Sequence, residues 1–273
     1  MVTKARTEAV TPPETVQRLL DAAGADLVLV GGQALAFWVS HYRLNRPDSA
    51  VPAISNDVDF LSRSAADRQS VRRFAGAIKG QAVFPDKRAL TALVGQAVLN
   101  VSDDEYINVD VIFKVIGLRG ETVRKRSVKI AASRDHQAFF VMHPLDVLHS
   151  RLANLYQLQD KQNDKGGMQL ALAIDVARAF LQSEARMATR ADMAAGRSPV
   201  QAFVSAIERM AVEDAGRKVA KRYDLHVADA IDPHLIPAGP FWTKRWPALS
   251  KLMSAGYRAT IRPPQAGTDQ EPS

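Results

Sequence analysis

Three aspartates carry the first chemical signal in this chain. Asp57 and Asp59 stand in the run SNDVDF (residues 55–60), and Asp110 in INVDVIF (residues 107–113). The acids alternate with apolar residues, and successive side chains of a strand point to opposite faces, so Asp57 and Asp59 share a face. Carboxylates that meet across neighbouring strands repel one another and lose solvation. A divalent cation relieves that cost. Magnesium suits the task, a hard ion held by oxygen whose usual work is to grip phosphates. Ahead of the acids, VLVGGQAL (residues 28–35) sets Gly31 and Gly32 between an apolar run and a helical pattern. A helix start offers free backbone N–H groups and a positive dipole end, a natural seat for phosphate. The combination points to metal-dependent phosphoryl or nucleotidyl transfer.

Each motif also has a plainer account. Paired glycines occur at many strand-to-helix turns because glycine tolerates positive φ. An Asp-x-Asp at a strand end is often a solvated turn. Asp110 is harder to dismiss, since an acid between Val109 and Val111 would otherwise enter a core unpaired. The order of all three, each tied to an apolar strand, selects the functional account.

That order resembles the nucleotidyltransferase superfamily with the polymerase-beta-like fold. Gly31, Gly32, Asp57, Asp59 and Asp110 fall on its motif position by position. Within the superfamily the chain looks closest to the abortive-infection type nucleotidyltransferase toxins of bacteria, through a Gly-Gly-x-Ala-Leu start at residues 31–35 and a helical second half. The resemblance spans roughly residues 12–183. Two departures stand out: Gly32 occupies a position where many members carry serine, and residues 33–56 form a longer connection than usual, with 46–52 as the insertion. The resemblance implies an α+β fold, a mixed sheet flanked by helices and followed by a helical C-terminal half. It also implies a nucleoside triphosphate substrate, magnesium, and a toxin–antitoxin or phage-defence setting with a cognate antitoxin protein as partner. The acceptor is left open between RNA such as tRNA, a protein hydroxyl and a small molecule. The alternative is an inactive relative that keeps the fold and binds protein or nucleic acid.

In this scheme Asp57, Asp59 and Asp110 are both the catalytic acids and the metal ligands. Gly31 and Gly32 hold phosphates, and Ser55 donates to a phosphate or to Asp57. Arg151 and Asn154, one turn apart on a helix, reach toward the nucleotide. Lys161 and Lys165 face triphosphate oxygens, as a Lys-Asp segment does in the toxin-like relatives. For these last four a capping or loop role is the simpler account.

The elements that must carry the acids follow from periodicity. Thr11 caps a helix that Pro12 and Pro13 open and Gly24 closes. A strand over 27–30, a helix over 33–42, a strand over 58–61 and a helix over 65–79 follow. Three strands are expected at 90–101, 106–115 and 122–130, with a short one at 137–142. From Pro144 the period changes to about 3.6, with Leu145, Leu148, Leu152 and Leu155 on one face. The reading places a catalytic domain at 1–143, a helical domain at 144–262 and a disordered tail at 263–273. Helices are expected at 168–181 and 200–223.

Composition excludes several classes. With 273 residues, 47% of them apolar, the chain can bury a large core. It has no cysteine, so disulfides, thiolate zinc sites and cysteine nucleophiles are excluded. The histidines show no metal-binding spacing, and no P-loop or Ser-His-Asp order occurs. Neither a signal-peptide pattern nor an apolar run near about 18 residues is found, so a cytoplasmic protein without membrane attachment is expected. Net charge is +7, with a pI near 9.7. Two basic clusters, Arg217-Lys218 with Lys221-Arg222, and Lys244 to Arg262, suit a polyanion or merely a solvated helix face. Trp38, Trp242 and Trp246 fit packing roles.

Overall fold

The computed structural model describes residues 6–45, 55–86, 88–131, 133, 136–188, 192, 198–236 and 239–262. The insertion at 46–52 and the tail from 263 lie outside them. Two compact units emerge, Met1–Ala173 and Ile174–Ser273.

The first unit is built on an open mixed sheet of eight strands. These are β1 (Thr7–Glu8), β2 (Val28–Val30), β3 (Val58–Leu61), β4 (Gln81–Val83), β5 (Leu93–Asn100), β6 (Glu105–Ile112), β7 (Val128–Ile130) and β8 (Phe139–Val141). Their order is β4-β5-β6-β3-β2-β8-β7, with β1 pairing the start of β6 in the space β3 leaves free. β3 runs parallel to β6 and antiparallel to β2, so two strands far apart in sequence become neighbours through a crossover. The two central strands are apolar on both sides of their acids: Val58, Phe60, Leu61, Val109 and Val111 are each fully buried. Burial on both faces, which the near-continuous apolar runs already suggest, holds these strands in the middle of the sheet.

Helices cover that sheet. Those of the first unit are α1 (Pro13–Ala23), α2 (Gly31–His41), α3 (Arg68–Ile78), α4 (Gly120–Arg126) and α5 (Pro144–Gln157), with α6 (Asp164–Met187) leading out of it. Asp67 caps α3 by accepting from the Ser70 amide, and the fully buried Phe74 stacks on Phe60 of β3, ring centroids 4.5 Å apart. Burying such a pair contributes about 1.5–3 kcal/mol per side chain. α5 packs on α2 with Leu145, Leu148, Leu152 and Leu155 inward, the face that the 3.6-residue spacing defines.

Several expectations change. The two compact units meet within α6, and α5 packs on α2 in the first of them. Thr11 does not cap α1. Pro12 holds the cap position with no side-chain bond, and the Thr11 hydroxyl donates to the Asn56 carbonyl at 2.8 Å. Residues 122–130 are half helix: Glu121 in the first turn and Arg124 to Arg126 in the last complement the dipole of α4, and only β7 remains a strand. The two-residue β1 and short β4 have no sequence expectation behind them.

In the second unit, α7 (Val200–Val212) and α8 (Asp214–Tyr223) replace the single helix expected over 200–223. The chain turns extended at Glu213 (ψ 161°) and restarts with Asp214 in the first turn. Val204, Ile207, Met210 and Val219 form the buried sides, while Arg217, Lys218, Lys221 and Arg222 stay exposed. Arg178 ties this unit together, donating to the Asp229 carbonyl at 2.8 Å and lying 4.6 Å over the Tyr257 ring. Among the described residues, no helix is long and apolar enough to cross a membrane.

Candidate metal centre

Sheet register builds the centre. Asp59 on β3 lies directly beside Asp110 on β6, Gln96 on β5 pairs with Asp110 from the other side, and Val30 on β2 pairs with Asp59. Gln96, Asp110, Asp59 and Val30 thus form one row across four strands, and residues in a row project from the same face. Asp57 precedes β3 by one residue and turns to the same place. One carboxylate oxygen from each of Asp57, Asp59 and Asp110 lies within 4.8 Å of the other two. Opposite ligands of one magnesium ion stand about 4.2 Å apart, so the three acids match the reach of a small oxygen-bound cation with little adjustment.

The glycine pair makes room for this cluster. Gly31 has φ +67°, and a Cβ there would fall 1.8 Å from Asp59 Oδ2; one on Gly32 would fall 2.3 Å from the Ser55 Cβ. Only glycine lets the start of α2 approach the acids so closely. α2 begins at Gly31 itself, so its first backbone N–H groups lie beside the carboxylates.

Hydrogen bonds fix two of the acids. The Ser55 hydroxyl donates to Asp57 Oδ1 in a short bond. Asp110 Oδ1 accepts from Gln96 Nε2 at 2.9 Å and from Asn108 Nδ2 at 2.8 Å. The loop before β3 is anchored to the N-terminal segment: Asn56 Nδ2 donates to the Glu8 carbonyl at 3.2 Å, and the Thr11 amide donates to the Asn56 carbonyl at 3.1 Å. Gln33 Nε2 on α2 reaches the Ser55 carbonyl at 3.2 Å.

Burial, then the charges of Asp57 and Asp110, push the Asp59 carboxyl up to about 8, while Arg151 and Lys161 pull the other way. Burial likewise raises Asp110 above the usual carboxylate range, opposed by its two amide donors. Arg151 is 8% exposed; burial lowers its pKa, and Asp59 and Asp57 favour its charge. Its Nη1 donates to Gln169 Oε1 at 3.1 Å, whereas its Nε is buried without a partner. Lys161 pairs with Asp160 at 3.3 Å, with both side chains about half exposed or more, an arrangement of little energetic weight. Among the described residues, three converging acids outnumber the one buried cation, Arg151, that faces them.

These groups surround a polar cleft of about 290 Å³ lined by, among others, Glu8, Gly32, Asp57, Asp59, Arg151 and Lys161. No family model and no curated protein matches this chain. The site is therefore judged on its own geometry.

Of the residues singled out from sequence, the three acids, Gly31, Gly32, Ser55, Arg151 and Lys161 all meet at this one place, together with Asn154 and Lys165. The two basic clusters belong to the other unit. His143 caps α5, its Nδ1 accepting from the Leu145 amide, and the buried Trp38 donates to the Met142 carbonyl at 2.8 Å. Sequence reasoning missed Glu8, Gln96, Asn108 and Gln169. For Asn108 the signal was present, because the alternation that orients Asp110 puts Asn108 on the same face. Glu8 and Gln96 reach the site only through long-range strand pairing.

Proposed function

We propose that this protein is a magnesium-dependent nucleotidyltransferase that moves a nucleoside monophosphate from a nucleoside triphosphate to an acceptor hydroxyl. The observation that carries the reading is the convergence of Asp57, Asp59 and Asp110 beside the glycine-opened start of α2. The donor set is all hard oxygen, and burial raises the carboxyls of Asp59 and Asp110, a cost that a cation would relieve. That fits magnesium and disfavours softer metals. The metal, when bound, would neutralise charge growing on the phosphates.

The chain's own groups divide the remaining work. The α2 backbone amides at Gly31 and Gly32 bind terminal phosphate oxygens. Arg151, pinned by Gln169, adds its buried positive charge beside the same anion, and Lys161 and Lys165 screen it from the cleft wall. Ser55 fixes the orientation of Asp57, and Gln96 with Asn108 fixes that of Asp110. A mixed sheet with its acids on adjacent central strands supports the polymerase-beta-like arrangement that the sequence motif implies. The exposed basic face of α8 supports RNA as acceptor, and a cognate antitoxin and a phage-defence role follow from the same resemblance.

The test is incubation of the protein with each α-labelled nucleoside triphosphate, magnesium and a whole-cell extract. Label is expected in RNA, protein or a small molecule with the wild type and not with Asp59→Asn. No transfer with any of the four nucleotides would refute the reading.

A further inference from the structure

The second unit holds a groove of its own. It measures about 460 Å³ and lies between α7 and the segment 244–252. One wall carries Arg209 and Val212. The other carries Lys244, Ala248 and Leu252, on a π-helical turn (Phe241–Arg245), the short α9 (Trp246–Leu249) and the residues after it. Leu249, 2% exposed, closes the floor.

The interior is aliphatic and open. α7 buries Val204, Ile207, Met210 and Ala211, yet Val212 in its last turn stays 46% exposed and lines the groove. Ala248 is exposed as well, and Leu252 is half-buried. Apolar surface left in water is a standing cost, recovered only when something covers it.

The walls are fixed before anything enters. Arg245 crosses between them, donating to the Ser205 hydroxyl at 3.2 Å and pairing with Glu208. His226 Nδ1 donates to the Leu252 carbonyl at 3.0 Å, and Ser254 gives its amide and its hydroxyl to Asp229, at 2.9 and 2.6 Å. Walls held this way lose little freedom on binding, which lowers the cost of association.

Charge selects the occupant. The lining carries three cations, Arg209, Lys244 and Arg245, against one acid, Glu208, and Arg245 and Glu208 neutralise each other. Arg209 and Lys244 are exposed and, among the described residues, have no acid partner. No acid occurs from Pro233 to Arg262, so the segment that forms the second wall has no carboxylate to repel another. A single-stranded nucleic acid is held by aromatic faces under its bases and a track of cations along its phosphates. Among the described residues no aromatic ring lines the groove, and its free cations flank an aliphatic interior. A second copy of this chain is disfavoured by the net charge of +7.

We infer that this groove docks an acidic amphipathic segment of a partner protein, its aliphatic side chains laid against Val212, Ala248 and Leu252 and its carboxylates paired with Arg209 and Lys244. The inference does not depend on the nucleotidyltransferase reading, because every residue in it belongs to the second unit.

The experiment selects peptides from a displayed library of short random sequences on the full-length protein and measures the affinity of the enriched peptide by fluorescence anisotropy. Enriched sequences are expected to combine leucine, isoleucine or valine with aspartate or glutamate. Val212→Asp should weaken the peptide about tenfold or more, the loss typical of a residue inside an interface. Arg209→Glu with Lys244→Glu should weaken it about tenfold at low salt and less at high salt. The same peptide with its acids replaced by lysine should bind the doubly reversed protein and not the wild type, a recovery that a misfolded variant could not give. The three substituted residues are exposed, and the circular dichroism spectra are expected to match wild type. Selection that enriches no acidic–aliphatic pattern overturns the inference, as do enriched peptides that bind Val212→Asp and the double reversal as tightly as wild type. A structured RNA whose binding to wild type falls about tenfold with Val212→Asp assigns the groove to nucleic acid and also overturns it. So does a wild-type dimer in sedimentation velocity that Val212→Asp dissociates.

Discussion

Two acidic sites in the first unit, one buried and one half-buried, differ in how their charge is balanced. Asp146 on α5 is 1% exposed, and its Oδ1 meets Arg126 Nη1 at 2.9 Å. Burial pushes its carboxyl up to about 6, with Arg126 opposing. One acid faces one base, across the junction of α4 and α5. At the sheet, three acids converge, and the buried Arg151 spends its Nη1 on Gln169. In the first arrangement the charges balance one to one, although the second carboxylate oxygen of Asp146, Oδ2, is buried without a partner. Among the described residues the second is short of buried positive charge, and the shortage is what makes it a candidate for a cation.

Substitution should separate the two most sharply. Asp59→Asn or Asp110→Asn is expected to reduce nucleotidyl transfer by a thousandfold or more, as for groups that stabilise charge in a transition state, with the circular dichroism spectrum unchanged. Gly31→Ala should approach the same loss, since the added Cβ would occupy the position of the Asp59 carboxylate. At the other site, Arg126→Ala is expected to leave magnesium binding intact and to destabilise the fold by about 1–3 kcal/mol, read by urea unfolding at pH 8. Arg126 is itself more than a third exposed, which keeps the figure low. The loss should fade below pH about 6, where Asp146 takes up a proton. Equal effects on metal binding and stability in both sets would erase the contrast.

The pH dependence of stability gives a second separation. Burial and its two acidic neighbours hold the Asp59 proton until about pH 8 in the metal-free protein. The folded state binds that proton more tightly than the unfolded chain, so the resulting stability is fully present below the ordinary aspartate pKa. It is lost as pH rises from about 4 toward about 8. A decline on the order of a few kcal/mol is expected over that window, and Asp59→Asn should flatten it. A wild-type curve that does not fall would show the acids already compensated.

The smallest effect concerns the cleft wall. Lys161 is about half exposed and paired with Asp160. Lys161→Ala should weaken nucleoside triphosphate binding by a few-fold, about 1 kcal/mol or less, and leave kcat nearly unchanged.

How much of this was legible in the sequence depends on how local the determinants are. The alternation in VDFL and NVDVIF oriented the acids correctly because a period of two needs no knowledge of partners. It did not say that β3 and β6 are neighbours; that followed from the resemblance, and the register Asp59 beside Asp110 supports it. Leu145 to Leu155 gave α5, and Arg151 with it, from spacing alone. Glu8 was not legible, since β1 is two residues long and exists only by pairing with β6 nearly a hundred positions later. Gln96 reaches Asp110 through a hairpin register that a β-bulge between Leu93 and Gly95 shifts. The misreading of 122–130 came from Thr122 and Val123, β-branched residues that favour strands, against end charges that favour a helix.

The central claim, that the three acids form a divalent-cation site, is tested most directly by thermal unfolding at pH 8 with increasing magnesium. Wild type should gain stability as RT ln(1 + [Mg]/Kd), approaching about 2.7 kcal/mol at a hundredfold excess over Kd, and Asp59→Asn should start more stable in metal-free buffer and gain almost nothing. Equal gains for both proteins, or none for wild type, would contradict the account.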